Sequence, residues 1–390
     1  MKYLIPILTI GVLFNPTTFS KDSEVMELIL LGEYEMLSEN YDDAREYFLK
    51  ALLQDSISVA IYSSLGELSL IEENYLDGAR YFDKAFLLDT TDIEMGLRAV
   101  ELYTSLQQFN ESEEIIKSLS RQYPMNINIQ DDLIRFYHFS QQWDKVIDSY
   151  CRMFTKDTTQ KEYLQRAVDI GISTDNEKLI LEKLTFLNGD FPDNIFVIQL
   201  FIQISFNQQL YHETKEGLKK LINLNNEDDK YKLQLAEIYL LLGEPAKAQD
   251  LLENTDFKNH EDQNLLNLLT ITYSEMEDFI KLVDISQKFI EVYPNITDGY
   301  ENLAIAYLNL QKYQDVLDIA SLGKVSFPNN VTFPYFMGDT YLRMDDFQSA
   351  KREFLEALKL SPENRVIRLS LITVFEELSE YNSSDSLFNF

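Results

Sequence analysis

Proline interrupts a helix because it has no N–H to donate and its ring clashes with the preceding turn, so evenly spaced prolines set where helices can end. Pro124, Pro192, Pro294, Pro328 and Pro362 are separated by 68, 102, 34 and 34 residues, each a multiple of 34. A fixed period of this length marks a repeat architecture. With proline at position 32, repeats begin at Val25, Val59, Ile93, Ile127, Lys161, Ile195, Asp229, Gln263, Thr297, Val331 and Arg365. Residues that did not define the phase obey it. Position 17 carries Tyr41, Tyr75, Phe109, Trp143, Tyr211, Phe279, Tyr313, Phe347 and Tyr381, with Glu177 and Pro245 as exceptions, in a chain that is 13% aromatic.

Each repeat reads as two amphipathic helices. Leu65, Leu133, Leu235, Leu303 and Leu371 at position 7 and Tyr103, Tyr137, Tyr239, Tyr273, Tyr307 and Tyr341 at position 11 lie one turn apart and form one stripe. The pattern predicts a first helix over positions 2–14, a turn at 15–17 and a second helix over 18–30. Small residues mark close helix approach: Gly32, Gly66, Ala236, Ala304 and Gly338 at position 8, and Ala44, Ala248 and Ala350 at position 20. The position-17 aromatics, Tyr313 and Phe347 among them, are expected to wedge between the two helices. Repeats four to six depart most from the pattern, with Gly171 at position 11, Glu177 at 17 and Thr214 at 20.

In these positions the chain resembles the tetratricopeptide-repeat family from Val25 to Phe390. Repeat ten carries the resemblance best, through Gly338, Tyr341, Ala350, Phe354, Ala357 and Pro362. The resemblance implies an all-α, right-handed superhelical solenoid of ten 34-residue repeats plus a truncated eleventh over 365–390. It also implies stability through stacking of neighbours, a concave face lined by positions 2, 5, 9, 12 and 13 of the first helices, and protein or peptide ligands. The position-9 candidates for ligand contact are Glu33, Glu67, Glu101, Arg135, Asp169, Glu237 and Asp339, with Ile29, Leu70, Ile71 and Leu97 as apolar neighbours. The Lys, Asn and Arg clamp that some family members close on a terminal carboxylate is missing, because position 5 holds Ile29, Ser63, Leu97 and Asp131.

Composition narrows the ligand. The 65 acidic and 34 basic residues give a formal net charge of −31. Such a surplus repels phosphate backbones and anionic lipid, so neither nucleic acid nor a membrane surface is an expected partner, and a basic protein segment is. One cysteine and three histidines are too few for a structural zinc site. With no nucleophile elbow, zinc-protease motif or glycine-rich phosphate loop, the chain reads as a scaffold or adaptor, with no catalytic residue, metal or cofactor. A self-associating structural subunit, paired through Leu387, Phe388 and Phe390 at the C-terminal end, is the alternative class. An accessory to a cell-envelope assembly or secretion enzyme is a third.

Residues 1–20 read as a secretory signal peptide, and 21–24 as a short polar lead-in. Lys2 precedes an apolar run from Tyr3 to Phe14, and Thr18-Phe19-Ser20 places small residues at the expected cleavage point. The run is shorter than the roughly 20 residues a spanning helix needs, which predicts a periplasmic or extracellular protein without a membrane span. Amino-terminal sequencing of the mature protein should begin near Lys21. Intact Met1 on soluble cytosolic protein would remove the export assignment.

Overall fold

The computed structural model describes residues 21–224, 228–257 and 259–378; the apolar leader, Tyr381 and residues 387–390 lie outside them. The chain divides into two compact units, one ending at Ile180 and the other starting at Leu181. In the first unit, helix pairs follow one another as α1 (Lys21–Leu37) and α2 (Tyr41–Gln54), α3 (Val59–Ile71) and α4 (Tyr75–Leu88), then α5 (Ile93–Ser105) and α6 (Phe109–Gln122). After α7 (Ile127–Phe139) and α8 (Trp143–Lys156) comes α9 (Lys161–Ser173), and the division falls inside α10 (Glu177–Asp190). The second unit holds α11 (Ile195–Asn207) and α12 (Tyr211–Leu224), α13 (Asp229–Leu241) and α14 (Pro245–Asn254), then α15 (Gln263–Glu275) and α16 (Phe279–Val292). It ends with α17 (Thr297–Asn309) and α18 (Tyr313–Ser326), α19 (Thr332–Arg343) and α20 (Phe347–Leu360), and α21 (Arg365–Glu377). Among the described residues the elements are all α-helical, and together they form an all-α repeat array.

Helix ends follow local chemistry. Position 15 of all ten complete repeats has a positive φ, from 55° to 68°, and only Gly243 among them is glycine. At each of these turns the position-16 N–H donates to the position-11 carbonyl and the position-15 N–H to the position-12 carbonyl, as in Asn74 to Ser69 at 2.8 Å and Glu73 to Leu70 at 3.0 Å. This double closure satisfies carbonyls that the helix end would otherwise orphan, and it holds a left-handed residue that L side chains disfavour. Between repeats, the side chains of Asp92, Asn126, Asn194, Asp228, Asp262 and Asn364 accept hydrogen bonds from first-turn amides of the next first helix. These are N-caps, and three of them, Asp92, Asp228 and Asp262, lie outside the loops that carry Pro124, Pro192 and Pro362.

Two expectations need correction. The second helices begin at position 17, so Tyr41, Tyr313 and Phe347 occupy a first helical residue at the solvent edge of the hairpin and are only half-buried. Trp143 is likewise half-buried, edge-on to the exposed His138 at 4.9 Å. Residues 21–24, expected as a polar lead-in, are the first turn of α1.

The wedge between paired helices is position 24. Phe48, Phe82 and Phe354 there are fully buried, and each faces glycine at position 8: a Cβ on Gly66 would lie 2.6 Å from the Phe82 ring, and one on Gly338 would lie 2.7 Å from that of Phe354. Repeat seven shares the space differently, with Ala236 and Leu252 in one core cluster. The departures in repeats five and six are compensated in the same way. Gly171 makes room for Ile180, which reverses the large residue at 11 and small residue at 20 of repeat ten. Buried Ser205 and Thr214 hydrogen-bond each other at 3.0 Å.

Gly66→Ala should therefore destabilise the second repeat by about 1–3 kcal/mol through overpacking, and adding Phe82→Leu should recover at least half of that loss. Urea denaturation of the two variants checks the coupling. Additive losses would contradict the shared space.

Candidate functional site

Among the described residues, grooves open between successive first helices, and three of them are walled by the same repeat positions. In the first unit α5 and α7 enclose about 570 Å³. In the second unit α11 and α13 enclose about 450 Å³, and α13 and α15 about 800 Å³. The leading helix presents positions 5, 9, 12 and 13 each time, as in Leu97, Glu101, Thr104 and Ser105. The following helix presents positions 6 and 9, as in Asp132 and Arg135. Position 6 was absent from the expected concave set. It belongs to a stripe at 2, 6, 9 and 13, which meets the 5, 9, 12 stripe at position 9 because helical steps of three and four residues share a face. In the α13–α15 groove, α14 ends at Asn254, four residues before position 30, and Phe257 and Asn259 border the opening.

The structure separates the expected contact residues into free and engaged ones. Glu67 is ion-paired with Arg98, which sits at position 6 of the next first helix and also reaches Glu94 at 3.0 Å. Arg135 pairs with Asp132 at 3.0 Å while its side chain stays 71% exposed. Asp169 accepts a bond from Gln165 at 2.9 Å, and Asp339 one from Arg343 at 2.8 Å. Glu33 is half-buried, and Glu101 and Glu237 are exposed. Of the proposed apolar neighbours, Leu97 lines the α5–α7 groove, whereas Ile29 is a core residue of the first repeat.

Position 9 facing position 6 decides the electrostatics of each groove. Where Glu67 meets Arg98, opposite charges close the gap. In the next groove Glu101 meets Asp132, so acid faces acid. Burial pushes the Asp132 carboxyl above the ordinary aspartate range; Arg135 works against this, while Asp131 and Glu101 add to it. Phe139, 69% exposed, stands at the rim of the same groove. The groove thus holds the exposed Glu101 carboxylate, the Asp132 carboxylate paired with Arg135, and an aromatic face. Among the described residues no group of three or more His, Cys, Asp or Glu is placed to hold a metal ion, and no helix is long and apolar enough to cross a membrane.

Helix pairs on a 34-residue period, with a groove-bearing face on the first helices, define a helical-repeat protein. Residues 335–364, within repeat ten, match the family model described as tetratricopeptide repeat. That match covers one repeat of the array, which is a tetratricopeptide repeat. The chain is similar to a chain in the structure of Naa15/Naa10 bound to HypK-THB, at 14% identity over 94% of this chain with a TM-score of 0.37, and spans 62% of that chain's length. It is similar also to yeast Tom70, at 13% identity over 93% of this chain and 97% of that one with a TM-score of 0.38. For MamA the values are 15% identity, 41% and 93% coverage, and a TM-score of 0.39.

A carboxyl whose native pKa is raised binds more protons in the folded than in the unfolded state between its ordinary and its native pKa, so stability falls as pH rises through that window. Asp132→Asn should remove this penalty. Urea denaturation should show the variant more stable than the parent at neutral pH, with the gain shrinking as pH falls through the native pKa of Asp132 and gone below the ordinary aspartate range.

Proposed function

We propose that this protein is a non-catalytic interaction scaffold, working outside the cytoplasm, that takes a lysine- or arginine-bearing segment of a partner protein into the α5–α7 groove. The observation that carries the reading is that Glu101, facing an Asp132 already paired with Arg135, has no ion-pair partner among the described residues, at the place where the preceding pair of first helices has Glu67 bonded to Arg98. A cation entering there lies within a few ångströms of two carboxylates, one of them partly desolvated, where Coulomb attraction exceeds its value in bulk water. Its hydrocarbon stem runs along Leu97 and Phe139, in the way long cationic side chains cover apolar surface. Export is supported by the character of residues 1–20. Glu33 extends the acidic character of position 9 toward the N-terminal end of the first unit.

The test uses two fluorescent, capped twelve-residue Gly-Ser peptides carrying three Lys-Leu pairs, one with free and one with acetylated lysines. The full chain should bind the free-lysine peptide more tightly, and moderate salt should weaken that binding. Glu101→Lys should weaken it about tenfold, whereas Glu67→Gln, at a carboxylate already held by Arg98, should change it less. Equal affinity for the two peptides would overturn the reading.

A further inference from the structure

The second unit carries a groove of different chemistry. Helix α11 reads IFVIQLFIQISFN and has no charged residue, in a chain that is 25% charged. Its exposed and half-exposed amides, Gln199, Gln203 and Asn207, line the α11–α13 groove, and Gln234 at position 6 of α13 faces Gln203 at position 9 of α11. This is the relation that sets Arg98 against Glu67 and Asp132 against Glu101 in the first unit, here filled by two neutral amides. Gln199 donates to the Tyr231 hydroxyl at 2.6 Å, which orients its side chain across the floor. Among the described residues the side chains of Gln203, Asn207 and Gln234 make no hydrogen bond within the protein.

Resting on the reading of the array as a peptide-binding scaffold, we propose that the α11–α13 groove holds an extended, uncharged stretch of polypeptide by its main chain. A side-chain amide carries a donor and an acceptor in one plane, the same pair that a peptide group presents. The spacing also agrees. Gln199, Gln203 and Asn207 are four residues apart, about 6 Å along the helix axis, and the peptide groups on one face of an extended chain recur every two residues, about 6.6 Å. A strand running along α11 therefore meets an amide at every second residue. Ile202 and Phe206 between the amides take its small apolar side chains, and Lys230 and Glu237 on the opposite wall cancel in charge. A charged side chain on the strand would face the uncharged wall of α11, which selects an uncharged segment. Asn264 and Asn267 carry amides on into the adjoining α13–α15 groove.

Fluorescence anisotropy of the full chain with a capped pool of twelve-residue peptides made only of Ala, Ser, Thr and Val tests this. The pool should bind, and N-methylation of every second peptide nitrogen should abolish binding. The Gln203→Leu, Asn207→Leu, Gln234→Leu variant should bind about ten- to hundredfold more weakly through loss of several neutral hydrogen bonds. Glu101→Lys, in the other unit, should leave the pool's affinity unchanged. Should the triple variant lose helicity by circular dichroism, Gln203→Leu at its exposed position carries the comparison. Equal binding of the N-methylated pool, or full affinity in the amide variants, overturns the proposal. An unbound neutral pool alongside a bound lysine peptide overturns it while the scaffold reading stands; failure of both probes overturns the two together.

Discussion

Wherever a first helix crosses its own second helix, the side chains at positions 8 and 24 occupy one space, and the sum of their volumes sets how closely the two axes approach. Gly66 admits the whole Phe82 ring, Ala236 admits Leu252, and in repeat nine Ala304 and Ala320 share a core cluster into which Phe333 of the next repeat enters. Fully burying a ring of this kind contributes about 1.5–3 kcal/mol relative to leaving it exposed, so the hairpins of repeats one, two and ten close on one large apolar group and one matching gap. Because interiors are close-packed, a mismatch on either side moves a helix or leaves a void. The three grooves described between first helices are walled by the same repeat positions.

Much of this was legible from residue positions alone. The prolines at position 32 gave the period, and with it the start of most helices to within one residue: first helices, expected from position 2, begin at position 1 in α3 (Val59), α11 (Ile195) and α21 (Arg365), and second helices, expected from 18, begin at 17. Other features depend on what lies across the array, which no single repeat displays. The left-handed turn residue is Glu, Gln or Asp in nine of ten repeats, so the usual glycine signal is missing, and the conformation is held by two backbone bonds that any side chain permits. The early end of α14 is hidden because Pro245 begins the helix normally and Phe257 lies close to its expected register while folding into the core. Gly171 read as a defect until Ile180 was seen to fill the space.

The candidate site divides in the same way. That position 9 faces a groove could be read from helical periodicity, but whether a carboxylate there is free depends on position 6 of the following repeat, 31 residues on. Glu67 and Glu101 are indistinguishable within their own helices, and Arg98 against Asp132 separates them. The large acidic surplus of the chain thus says little about any one groove. Local pairing leaves the Glu101 carboxylate without a partner in one groove, and α11 lines another with uncharged amides, so that two grooves built on one scaffold differ in chemistry.

Junctions between repeats carry a further consequence. Position 27 of one repeat packs against position 3 of the next: Phe289 lies against Gly299, and Gly323 against Phe333. Tandem arrays gain and lose whole units by slippage during replication of their coding sequence, and a uniform array would tolerate this anywhere. Here, deleting residues 297–330 would keep the period intact yet bring Phe289 and Phe333 to the same junction, two rings where there is room for one. Repeat nine is therefore held in the array by its neighbours, and natural variation in array length should avoid this interval unless one of the two phenylalanines changes with it.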